Sequence, residues 1–121
     1  MLWWKLAAND TDTPAGQYIL GRRTSNDWAN YGRWVDFRGY LSQQESCVID
    51  RKDPRAMDAL GYRLGLSRKQ LTEFVSLLQA AGALSKDAFD EGWLSVDDVF
   101  NQWQAYMNRK AVNTANRSKR G

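Results

Sequence analysis

The chain has no histidine, one cysteine and two prolines among its 121 residues. The missing imidazole removes the commonest neutral metal ligand, the Ser-His form of nucleophilic catalysis and most proton shuttling near neutral pH. Glycine-rich turns are the usual means of bringing backbone N–H groups onto phosphates, and the chain has neither a GxxxxGK loop nor a GxGxxG fingerprint. A protein that catalyses nothing and carries no cofactor or metal is therefore expected. The lone Cys47 cannot close an internal disulfide, which suits a reducing cytoplasm, and it reads as a small buried hydrophobe. No apolar run approaches the roughly 20 residues that span a bilayer, so no membrane partner is expected. Leu2-Trp3-Trp4 is too short for the apolar stretch of a signal peptide, and residues 1–8 read instead as an extended strand entering the core.

What is present suffices for one core. Hydrophobic residues make up 43% with six tryptophans, against 26% charged residues that keep the surface solvated. A chain of this length holds one domain, expected over residues 1–112, with residues 113–121 as a basic disordered tail or a truncated linker. The net charge is only +3, but it is unevenly spread. Five of the 17 Lys and Arg residues lie beyond residue 108, where there is no acid, so residues 1–108 carry 12 bases against 14 acids, a net −2. The body is thus not a uniformly basic surface, which weakens a simple electrostatic case for nucleic acid.

Capping signals divide the body into helices. Asn9 to Thr13 with Pro14 at a first helical position predicts a helix over about 14–23. Thr24-Ser25-Asn26-Asp27 precedes Trp28, Tyr31, Trp34, Val35, Tyr40 and Leu41 at near-helical spacing, predicting a second helix over about 27–42. Gly32 and Gly39 within it suggest close helix packing or a break. Cys47-Val48-Ile49 reads as a short strand. Asp53-Pro54 then opens a helix that carries Met57, Leu60 and Leu64 on one face and stops at Gly65. Ser67 with Gln70 is a capping box, and Leu71, Phe74, Val75 and Leu78 form the inner stripe of the next helix before Gly82. Ala83-Leu84 and Trp93-Leu94 are expected to pair as a small hairpin around a polar loop. Ser95 to Asp98 resembles a weaker capping box for a last helix reaching about residue 112 through Val99, Trp103, Tyr106 and Met107.

Helix, tight turn, helix and hairpin, in that order, make a mainly α fold of winged helix-turn-helix type with extra N-terminal and C-terminal helices, whose second helix of the pair enters the major groove. The stretch from about Trp28 to Arg109, with WANYGRWVDF, ALGYRLGLSRKQLTEFVSLLQAAGAL and GWLSVDDVFNQWQAY, resembles the N-terminal winged-helix domains of phage replisome organisers and DnaD-like primosomal replication proteins. The resemblance implies origin or single-strand DNA binding in a bacterial host cytoplasm. It also implies self-association and recruitment of a replication protein such as a helicase loader.

On this reading Arg68 and Lys69 contact phosphate or guanine, and Thr72 and Ser76 contact backbone or bases. Arg63 and Lys86 are further phosphate candidates, as are Arg109, Lys110, Arg117, Lys119 and Arg120 in the tail. The alternative is an ordinary solvated helix face, since Glu73 in its middle repels phosphate. The loop from Lys86 to Glu91 holds three acids and one base, unlike a wing that lies along DNA. It favours a second reading, a protein-binding module that engages or inhibits a nucleic-acid enzyme. Phe89 is expected to staple this loop to the core or to anchor a partner. Trp28, Trp34, Trp93 and Trp103 are expected in the core rather than stacking bases. Arg22-Arg23 and Arg51-Lys52 read first as solvated basic pairs and only secondarily as site candidates.

Overall fold

The computed structural model describes residue 11 and residues 13–120, with backbone only from 114 on. The expected strand at residues 1–8 lies outside the described residues. Thr13 starts α1 (Pro14–Leu20): its hydroxyl oxygen accepts from the Gly16 N–H at 3.1 Å, and Pro14 needs no partner at the first position. The helix ends at Leu20, short of the expected 23. Gly21, at φ 51°, already turns the chain away there.

Thr24 and Asp27 form a reciprocal capping box for α2 (Ser25–Ser42). Asp27 Oδ2 also accepts from the Arg22 N–H at 3.2 Å and so braces the α1–α2 turn. Trp34, Phe37 and Leu41 are buried along one side, and Arg38 among them lays its guanidinium 4.4 Å above the Trp34 ring. Gly32 and Gly39 cause neither the break nor the close packing expected of them. The helix runs through both, and the space a Cβ would take at each is open.

A tight turn at Glu45–Cys47 leads into β1 (Ile49–Asp50), two residues later than the expected strand, because Ser46 and Cys47 take positive φ values that no ladder accepts. Cys47 is wholly buried, and that burial pushes its thiol up to about 11. Asp53 caps α3 (Pro54–Leu64), its side chain accepting from the Arg55 N–H at 3.0 Å. Ser67 and Gln70 cap α4 (Arg68–Ala80) reciprocally.

The corner between α3 and α4 is tight. Gly65 is left-handed at φ 69°, and the Leu66 N–H returns to the Gly61 carbonyl at 2.9 Å. The Leu66 carbonyl lies 2.9 Å from where a Gly61 Cβ would stand, so only glycine lets the backbone approach so closely.

Ser85 caps a short α5 (Lys86–Asp90), which is followed by β2 (Trp93–Leu94) and by α6 (Asp97–Arg120). This corrects the expected hairpin. β2 pairs antiparallel with β1, Ile49 opposite Leu94 and Asp50 opposite Trp93, while residues 86–90 are helical rather than a wing loop. Just past Ala83-Leu84, the Ser85 N–H donates to the carbonyl of Ser95, the residue after β2, at 2.8 Å. Two further corrections concern α6. Its first carbonyl, accepting from Phe100 N–H at 2.9 Å, belongs to Val96 and not Ser95. Its backbone continues to Arg120, past the expected end near 112 and through the segment expected to be disordered.

The molecule is thus mainly helical with a two-stranded antiparallel sheet, and no helix among the described residues is long and apolar enough to cross a membrane. Its core gathers Ile19 of α1, Phe37 and Leu41 of α2, Leu60 and Leu64 of α3, Leu71, Phe74 and Leu78 of α4, Leu94 of β2 and Val99 of α6. Burying one such side chain stabilises by about 1.5–3 kcal/mol.

Gly61→Ala is expected to lower stability by about 1–3 kcal/mol, the usual cost of overpacking. Gly32→Ala, on open helix surface, is expected to raise it by about 0.4–1 kcal/mol. Denaturant titrations followed by tryptophan fluorescence check both, and a Gly61→Ala chain as stable as its parent would remove the close approach as a constraint.

Candidate nucleic-acid interface

Because Leu71, Phe74 and Leu78 face inward, the opposite side of α4 looks out, and Arg68, Lys69, Thr72, Glu73, Ser76 and Gln79 are all exposed. Two of the candidate arginines already have anionic partners. Arg68 grips Asp58 side-on across the α3–α4 corner, Nε to Oδ1 at 3.0 Å and Nη2 to Oδ2 at 2.9 Å. Arg63 donates likewise to Asp36 of α2, with Nη2 to Oδ1 at 3.0 Å. The Arg68 hydrogen bond and charge hold the Asp58 carboxyl below its ordinary value of 3.8. The Arg68 side chain is nonetheless 83% exposed, so its outer N–H groups still face solvent. Thr72 donates its hydroxyl to the Arg68 carbonyl at 3.0 Å, which leaves the oxygen's lone pairs to accept a bond from outside.

The remaining candidates fall on other elements. Lys86 is exposed at the first position of α5, Arg109 and Lys110 are exposed on α6, and Arg117, Lys119 and Arg120 lie on its last turns. Of the candidates, Arg68 and Thr72 line one hollow of about 320 Å3 between the β1–α3 turn and the start of α4.

That hollow adds two residues that the sequence offers only as secondary candidates. Arg51 and Lys52 line it with Arg68, against the single acid Asp58, so its lining is net positive, with Met57 and Leu71 as apolar members. The signal was a basic pair directly before the Asp53-Pro54 cap. Arg51 also holds α5 in position: Nε and Nη2 donate to the Phe89 carbonyl at 3.0 and 2.9 Å, and the guanidinium lies 4.1 Å over the Phe89 ring. Phe89 packs against the core as the expected staple does, from a helix instead of a loop.

Two tryptophans depart from the core assignment. Trp34 is buried, but Trp28 is 45% exposed beneath the Arg23 guanidinium and Trp93 is 36% exposed beneath Lys52. Each ring lies beneath the charged end of a basic side chain, the Arg23 Cζ 5.8 Å from the Trp28 centroid and the Lys52 Nζ 5.9 Å from that of Trp93. Comparisons with protein-family models, curated proteins and solved structures give no match to this chain.

An NMR titration of the carboxyl carbons is expected to find Asp58 below 3.8 and to find it return toward that value in Arg68→Ala. Since the folded value is the lower one, the pair stabilises the fold above the unfolded-state value, and its contribution is lost as pH falls through the folded one. An Asp58 unmoved by removal of Arg68 would mean that the pair does not persist in solution.

Proposed function

We propose that this chain is a non-catalytic DNA-binding module on a winged-helix plan, of the kind that acts in phage or prophage replication initiation inside a bacterial cell. The observation that carries the reading is the sharp α3–α4 corner, which presents the polar face of α4 beside a basic hollow lined by Arg51, Lys52 and Arg68. In this reading α4 enters the major groove, with Lys69, Thr72 and Ser76 toward the bases. Arg68, Lys52 and the basic end of α6 neutralise phosphates, and Arg63 and Lys86 contribute from the flanks. The order of elements supports the plan: β1 precedes the helix pair, β2 follows it, and the two strands pair. A short helix occupies the place of a wing. A helicase loader or similar replication protein is a fitting protein partner.

A second reading, engagement or inhibition of a nucleic-acid enzyme, is favoured by one feature. Asp87, Asp90 and Glu91 at and just after α5 repel phosphate and suit a basic protein surface instead.

Fluorescence-anisotropy titration with duplex and single-stranded DNA across a salt series separates the two. Binding is expected to weaken steeply with salt. Each lost phosphate contact on duplex DNA flattens the slope of log affinity against log salt by about 0.9. Arg68→Ala with Lys69→Ala is expected to weaken binding by about tenfold, and Lys52→Ala to flatten the slope. Asp58→Asn releases Arg68 from its partner and is expected to tighten binding by up to about fivefold. No binding to either form of DNA at low salt would discard the DNA reading in favour of the protein partner.

A further inference from the structure

The hollow of about 320 Å3 beside α4 has a neighbour of about 130 Å3 on the far side of the Arg68–Asp58 bridge. Both count Met57 and Leu71 in their walls, together with the bridged pair itself, so the pair lies like a strap across one trough with an apolar floor. The two ends of the trough differ. Arg51 and Lys52 line the larger hollow, whereas Tyr62, 84% exposed, lines the smaller. Nη1 of Arg68 takes no part in the bridge, so the strap itself offers a donor to a ligand beneath it.

A duplex backbone makes little use of such a floor, because it brings phosphates to a protein surface while its bases stay stacked inside. An apolar strip that ends at an exposed aromatic ring suits an unpaired base instead, since every base has a face that stacks. The three cations at the other end, against one carboxylate, suit the phosphate of that same nucleotide. Side chains supply there the donors that a glycine-rich loop draws from its backbone. The larger hollow alone reaches the lower end of the range of small-molecule sites, about 300–1,000 Å3.

We propose that the trough is a site for a single nucleotide, its phosphate among Arg51, Lys52 and Arg68 and its base along Met57 toward Tyr62. The site shares with the proposed function the reading of the larger hollow as a place for phosphate, but it needs no entry of α4 into a groove. The nucleotide is either free in solution or the phosphorylated 5′ end of a strand, and the chemistry recognised is the same in both.

Titration of the 15N-labelled chain with deoxyadenosine monophosphate, followed by amide shifts, tests the site. The amides of Met57, Asp58, Tyr62 and Leu71 are expected to move together with a dissociation constant below about 1 mM. Inorganic phosphate and deoxyadenosine, each alone, are expected to bind at least about tenfold more weakly. Tyr62→Ala is expected to weaken the nucleotide about fivefold or more and to leave inorganic phosphate unchanged, while Tyr62→Phe keeps the affinity of the parent. Lys52→Ala is expected to weaken both ligands by about tenfold. Inorganic phosphate that binds as tightly as the nucleotide overturns the proposal, as does a Tyr62→Ala chain with undiminished nucleotide affinity. So does a chain whose amides stay still up to about 5 mM nucleotide. Single-stranded oligonucleotides with and without a 5′-phosphate separate the two sources: a preference for the phosphorylated end assigns the site to strand ends, and equal affinity beside a positive nucleotide titration assigns it to the free nucleotide. A chain that binds the nucleotide but no DNA keeps this site and loses the proposed function. One that binds duplex DNA with a steep salt dependence but fails the nucleotide titration loses only this site.

Discussion

The close passage of the Leu66 carbonyl over Gly61 is the constraint on which the rest of the molecule turns. A 2.9 Å approach to the site of an absent Cβ brings α4 back against α3 within two residues. The left-handed Gly65 and the Ser67–Gln70 cap then make the reversal affordable by satisfying backbone groups that a sharp bend would otherwise strand. From this follow the direction of Leu71, Phe74 and Leu78 into the core, the outward face of α4, and the nearness of Arg68 to Asp58. A wider corner would lose the core contacts and the basic hollow together.

Charge is arranged by the same geometry. Arg63 and Arg68 each meet an aspartate on a neighbouring helix, while Arg51 is spent on the Phe89 carbonyl. The surface around α4 is therefore less basic than a count of its residues implies, and its exposed cations are partly screened by fixed partners. That arrangement suits contacts that are exchanged rather than simply added: a phosphate must outcompete a carboxylate for Arg68. The selectivity of such a site comes from geometry as much as from net charge.

Much of the helical framework was legible because its signals are local. Asp53-Pro54 and Gly65 bracket α3 to the residue, and Ser67 with Gln70 marks the start of α4, since caps act within one turn. What escaped depends on distance along the chain. β1 and β2 are more than forty residues apart, and two-residue strands carry no periodicity of their own, so the sequence points Trp93-Leu94 to the nearer Ala83-Leu84 although its partner is Ile49-Asp50. The segment after Ser85 has the apolar ends of a hairpin as well as a hydroxyl that can cap a helix, and the cap prevails. The end of α6 has no apolar stripe to announce it, yet its backbone remains helical. The candidate site was legible as the outer face of α4. Its partners were not: Asp36 lies 27 residues from Arg63, and Asp58 reaches Arg68 only once the corner is closed.

The sealed thiol at Cys47 turns the protein into its own gauge of opening. A group with no solvent contact, held almost wholly protonated at neutral pH, cannot react with an alkylating reagent while the core is shut. Each molecule that becomes labelled has therefore exposed the junction between α2 and the sheet, so the labelling rate counts those excursions without any probe being introduced.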